Sequence, residues 1–130
     1  MSRILVVGSV AYDLLLSHDG SFKDQFEGID FEGLSANFLA QHYQRHHGGT
    51  APNIAWTLNL VGANPLAVGT VGSDGGPYLA LLNERGIDTT YLNQLEDHAT
   101  ATAIIGTDSH ERQITVFAPG ADQHGTWPDL

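Results

Sequence analysis

Ile4-Leu5-Val6-Val7 is an unbroken aliphatic run that stops at Gly8. Both faces of such a run want apolar neighbours, so the pattern predicts a buried, central, parallel strand. Asp13 to Ser17 turns apolar again and predicts a second, shorter strand. From Asp19 to Gly33 polar residues dominate, with Phe and Gly scattered among them, and an irregular, peripheral excursion is expected. Leu34 to Tyr43 mixes apolar and polar residues without a clean period, and a strand is the preferred reading there. Gly48-Gly49 interrupts it. Adjacent glycines permit positive φ and close backbone approach, and they suit a hinge.

Pro52 to Leu60 predicts a helix, with Thr50 as N-cap and Pro52 in a first turn that does not need its N–H. Ala51, Ala55 and Leu58 form its apolar stripe, and Gly62 stops it. Leu66 to Val71 predicts another strand, closed by Gly72. Ser73 or Asp74 is expected to cap a second helix, with Pro77 in its first turn, Tyr78, Leu81 and Leu82 on its buried face and Gly86 at its end. Strand, excursion, helix, strand, helix is the order of an α/β domain with a parallel sheet and flanking helices. The pattern then changes. Ala101 to Gly106 and Gln113 to Ala118 flank the turn formers Thr107 to Glu111, which predicts an antiparallel hairpin. Pro119 to Asp122 is expected as a loop, and residues 123–130 as a loose end.

Composition narrows the class. The 130 residues are 42% hydrophobic and 15% charged, enough for one domain with a core. Fifteen acidic residues against five basic ones give a formal net charge of -10, which repels phosphate backbones and anionic lipid, so neither nucleic acid nor membrane is an expected partner. With no cysteine, disulfides, thiolate catalysis and cysteine metal sites are excluded. The short apolar run after Met1-Ser2-Arg3 does not resemble a signal peptide, and a cytoplasmic protein is expected. His42 and His46 stand four apart, but without helical context or a carboxylate at zincin spacing no metal site is expected.

The candidate chemistry centres on Gly48-Gly49-Thr50-Ala51-Pro52-Asn53-Ile54-Ala55, followed by Gly62 and Gly72. The glycines admit a ligand close to the backbone, and Asn53 and the free N–H groups of a first helical turn face the same way. The residues alone fit equally well a glycine turn before an ordinary helix, with Asn53 serving locally. This string resembles the first signature of the ribokinase-like, pfkB-type carbohydrate kinases. Further likenesses run in order along the chain: Gly8-Ser9 followed by Asp13, Val71-Gly72-Ser73-Asp74, Arg85-Gly86-Ile87-Asp88, and Thr100 to Gly120. Gly8-Ser9-Val10-Ala11-Tyr12-Asp13, Leu34 to Leu39 and Phe117-Ala118-Pro119-Gly120 are most similar to bacterial adenosine-kinase-like members.

The resemblance implies a ribokinase-like parallel sheet plus a small β lid, with residues 1–122 as the N-terminal, acceptor-binding part and lid segments near 13–47 and 100–118. The implied activity is ATP-dependent phosphorylation of a hydroxymethyl group on a sugar or nucleoside, with ATP and magnesium as cofactors of the parent enzyme and none expected to be held by these residues alone. Asp13 would accept hydrogen bonds from a vicinal diol. Ser9, Asn37, Gly48, Gly49 and Asn53 would line the same pocket, and Phe117 would stack on a base or pack in the core. No catalytic residue is expected, because the family's Asp-Thr-x-Gly-Ala-Gly-Asp string, which carries the base, does not occur in this sequence. A homodimer through lid strands is an expected partner state. The rival expectation is a non-catalytic ligand-binding or interaction module on the same fold.

Overall fold

A computed structural model describes residues 2–129. In chain order it contains β1 (Ile4–Val7), β2 (Ala11–Ser17), α1 (Phe22–Phe26), a 3-10 turn (Phe31–Gly33), β3 (His42–Gly48) and α2 (Thr50–Leu60). There follow β4 (Pro65–Gly72), α3 (Gly76–Glu84), β5 (Asp88–Leu95), β6 (Ala101–Thr107), β7 (Gln113–Ala118) and a second 3-10 turn (Gly120–His124). No described helix is long and apolar enough to cross a membrane.

The elements form two sheets. The core sheet has the order β1-β4-β5 with every pair parallel. Its centre is β4, where every residue but Gly69 is buried. That burial explains the run of Leu66, Ala67, Val68 and Val71: a strand covered on both faces has no polar side to show. Helices α2 and α3 return the chain between these strands. Ala55 from α2, with Tyr78 and Leu82 from α3, close over Ala67, Val71 and Leu92 in one hydrophobic cluster. Full burial of a side chain such as Leu82 contributes about 1.5–3 kcal/mol.

The second sheet has the order β3-β2-β6-β7. β2 and β6 run parallel at its centre, and β3 and β7 flank them antiparallel. The register lines up the ends nearest the core: Gly48, Ala11 and Ala101 share one row, and Ala118 lies one position along. All four strands therefore enter or leave the core at the same edge of this lid. At the far edge Asp108 ties the hairpin turn down. Its carboxylate accepts from the backbone N–H groups of Phe22, His110 and Arg112, each at 2.9 Å, and pairs with the Arg112 guanidinium at 3.1 Å. Burial opposes ionisation of Asp108, but these donors outweigh it and hold the carboxyl down to about 2.

Several expectations are corrected. Residues 34–41 form no strand, and the strand there is β3, which begins at His42. The apolar residue in that stretch serves a different purpose: the Phe38 ring packs on Phe22 and Phe26, at 4.7 and 5.6 Å between centroids. The excursion is thus partly ordered, with α1 and an aromatic cluster laid on the lid. Thr50 is the first residue of α2, and Gly49 is its N-cap. Gly75, not Ser73 or Asp74, caps α3. Asp74 instead accepts from the Thr100 N–H at 2.7 Å. The strand β5 was not expected at all. Beyond Asp122 the 3-10 turn continues to His124, and Gly125, Thr126 and Trp127 border a cleft with Val7, Val68 and Thr70, although residues 123–127 are all exposed.

Candidate functional site

Asp13 is the third residue of β2, one of the lid's two central strands. Its cross-strand neighbours are His46 on β3 and Ala103 on β6, and Ala103 in turn pairs with Phe117 on β7. Lateral neighbours in a sheet share a face. Asp13, His46 and Phe117 therefore stand on one face of the lid. The Asp13 carboxylate also reaches back over the end of β3: a Cβ at Gly48 would lie 2.5 Å from Asp13 Oδ2. Gly48 lacks a side chain where the carboxylate sits.

Gly49 is required for a second reason. Its φ of 92° and ψ of 152° lie in a region that only glycine occupies without strain. A Cβ there would collide with the carbonyl oxygen of Ser9. This conformation turns the chain out of the lid and into α2. Ser9 completes the junction. Its carbonyl accepts from Ala51 N–H at 3.2 Å, and its hydroxyl accepts from Thr50 N–H at 3.4 Å. Asn53, one turn into α2, donates from Nδ2 to the Gly49 carbonyl at 2.8 Å and is exposed.

Behind the glycines lies an aromatic group built on the buried Tyr78 and Tyr12. The Tyr78 hydroxyl, from α3, donates to the Gly48 carbonyl at 2.6 Å. The His47 ring meets Tyr78 edge to face at 4.7 Å, and Tyr12 stands 5.7 Å from Tyr78. Tyr12 donates to the Asp74 carbonyl at 2.8 Å, and the Arg45 guanidinium covers its ring at 3.7 Å. Burial raises the Tyr78 phenol, so it remains a donor at any working pH. Burial and the Arg45 charge lower His47, which favours a neutral imidazole in this contact. Burial would raise Asp74, but hydrogen bonds from Thr100 lower it on balance and keep it ionised.

The structure thus brings Ser9, Asp13, Gly48, Gly49 and Asn53 together at the junction of lid and core, with Phe117 on the same lid face as Asp13. Phe117 is 51% exposed, so it is not packed in the core formed by the described residues. Asn37 is different. It is exposed in the segment before β3, and no side-chain hydrogen bond joins it to the others among the described residues. Two residues of the junction went unrecognised in the sequence. His46 is placed opposite Asp13 only by the β2–β3 register, and the Tyr78 hydroxyl carries no local signature.

Chemically, the arrangement offers a carboxylate acceptor for hydroxyl groups, backbone open to close approach, and an aromatic face. Bonds to a charged acceptor are the stronger kind. Among the described residues no cluster of three or more His, Asp or Glu could hold a metal ion.

Comparison with known proteins gives a consistent result. The profile of the pfkB family carbohydrate kinases matches residues 1–130. A nucleoside kinase of Methanothermobacter thermautotrophicus is 30% identical over 123 residues, covering 93% of this chain and 37% of that protein. The solved structure of Burkholderia thailandensis nucleoside kinase in complex with inosine is 36% identical, with a TM-score of 0.74 over 92% of this chain and 37% of that one. The nucleoside kinase of Methanocaldococcus jannaschii, an archaeal member of the ribokinase family, is 27% identical with a TM-score of 0.79, over 95% of this chain and 39% of that one. The chain spans about a third of the length of the curated relatives it matches, 37% and 34% for the first two.

Proposed function

The chain belongs to the pfkB family of carbohydrate kinases, and from that premise we propose that it forms the acceptor side of an ATP-dependent phosphorylation of a hydroxymethyl group on a nucleoside or sugar. The observation that carries this reading is the Asp13 carboxylate poised over Gly48, on the lid face it shares with Phe117. Asp13 accepts two neighbouring hydroxyls of the acceptor, the Gly48-Gly49 turn lets the sugar ring approach the backbone, and Asn53 adds a polar contact. The lid closes over the acceptor and sheds water from it. ATP would supply the phosphoryl group and magnesium would neutralise the charge on it. Neither the base nor a phosphate-binding loop is assigned to these residues.

A nucleoside is the preferred acceptor. The half-exposed ring of Phe117 gives a planar base something to stack on, and a stacked base contributes about 1–3 kcal/mol. In a full-length protein carrying this segment, Phe117→Leu is expected to weaken adenosine and inosine binding about 5- to 150-fold while ribose binding stays nearly unchanged. Competition binding checks this, and a wild-type protein in which ribose or fructose outcompetes both nucleosides ends the nucleoside reading.

Residues 1–130 alone are expected to phosphorylate nothing. Among the described residues β1 pairs only with β4, and Ile4, Leu5 and Val7 on it are 40–50% exposed. Tyr43 and Val116 on the lid strands are exposed as well. Such surface favours self-association, and the lid strands are where this reading seats a second copy. Assay of the purified segment with ATP, magnesium and a panel of sugars and nucleosides, with its mass measured in solution, tests both points. Turnover by a stable monomer contradicts them.

A further inference from the structure

The Tyr78 hydroxyl is the one polar group of the buried aromatic cluster that touches the glycine turn. Tyr78 is 1% exposed, and its hydroxyl donates to the Gly48 carbonyl across the boundary between α3 and the lid. A peptide group is planar and trans, so fixing the Gly48 carbonyl also fixes the Gly49 N–H, which points the opposite way. That N–H finds no acceptor among the described residues. A backbone donor held rigidly on the far side from Tyr78, one residue beyond the Gly48 position that the Asp13 carboxylate overlies, is suited to an acceptor hydroxyl.

We propose that Tyr78 is a positioning residue for the acceptor: by holding the Gly48 carbonyl it aims the Gly49 N–H into the pocket beside Asp13. This rests on the acceptor-site reading given above. Glycine needs such a restraint more than other residues do, because nothing in its own side chain limits its rotation. Tyr12 is the natural control. Its hydroxyl also crosses between lid and core, to the Asp74 carbonyl, but it does not touch the glycine turn. A loosened hinge would respond to either hydroxyl, whereas a misaimed Gly49 N–H responds to Tyr78 alone.

The test compares Tyr78→Phe, Tyr12→Phe and Asp13→Asn in a full-length protein carrying this segment, with adenosine and ribose as acceptors. Tyr78→Phe keeps the ring and its packing on His47. It is expected to raise acceptor KM about fivefold to tenfold, the loss of one neutral hydrogen bond's alignment, with KM for ATP unchanged and most of kcat retained. Tyr12→Phe is expected to leave acceptor KM within twofold. Equal effects of the two phenylalanine variants, or a fall in kcat without a rise in acceptor KM, overturn the positioning role. If Asp13→Asn weakens the acceptor and Tyr78→Phe does not, only the role of Tyr78 falls. If Asp13→Asn changes nothing, the acceptor site itself is elsewhere and the role of Tyr78 falls with it.

Discussion

Asp13→Asn is expected to weaken acceptor binding in a full-length protein carrying this segment by about 1.5–3 kcal/mol, roughly 10- to 150-fold in Kd. The substitution keeps the shape of the side chain and removes its charge. An amide offers only one acceptor oxygen, and its NH2 group would face hydroxyls that the carboxylate accepts from both sides. The amide NH2 would also stand beside the Gly48 backbone, where the carboxylate now fits against a missing Cβ. The fold should not suffer, because Asp13 makes no side-chain hydrogen bond within the described residues and lies on a lid face that is not part of the hydrophobic cluster. Isothermal calorimetry with adenosine and ribose reads the loss, and an unchanged thermal melt assigns it to binding. Unchanged affinity would remove Asp13 from the site.

Gly49→Ala has the largest expected effect on the fold. The positive φ of this residue, with ψ near the extended value, costs an alanine about 1–3 kcal/mol before any contact is counted. The added methyl then meets the carbonyl oxygen of Ser9, which is backbone and cannot swing aside. Relief requires moving the β1–β2 link away from the start of α2, and that breaks the bonds that Ser9 accepts from the Thr50 and Ala51 N–H groups. A total near 3 kcal/mol or more is a large share of the stability of a single domain, about 5–15 kcal/mol, and lowers Tm by roughly 10 °C. Gly33→Ala is the matched control, since no atom lies within 4 Å of its Cβ position and its φ is negative. Equal melting shifts for the two variants would show that the Gly49 geometry is not a constraint.

How much could be read from the sequence follows from how each segment is buried. β4 and both long helices announced themselves because the core sheet imposes an apolar pattern on them; β1 shows the same apolar run, but among the described residues it is the sheet's edge strand with only Val6 buried, not the buried central strand expected. The lid hairpin was visible through its turn formers. β5 was missed because only Leu92 of its residues is fully buried, so Asp88-Thr89-Thr90-Tyr91-Leu92-Asn93-Gln94-Leu95 shows no apolar run. β3 is harder still: every residue before Gly48 is exposed, and the strand exists because β2 offers it hydrogen bonds, not because its side chains seek a core. The strand expected at 34–43 was a misreading of the aromatic cluster, whose Phe38 packs against a helix. For the site, the glycines and Asn53 stood out because backbone chemistry limits the residue types allowed there. The placing of Asp13 above Gly48, opposite His46 and in line with Phe117, depends on strand register, and register is a property of the assembled sheet.

The lid's single shared row of attachment has a mechanical meaning. Four strands meet the core along one line, through the short links at Ser9, Gly49, Thr100 and Pro119. A plate fastened along one edge keeps one soft coordinate, rotation about that edge, while sliding or twisting would strain several links at once. Enclosing a small molecule by such a rotation orders no new backbone, since the strands are already paired. The entropy that a floppy covering loop would lose on closing is instead lost once, when the protein folds. Binding energy from the enclosed molecule is then left for orientation instead of for ordering the cover.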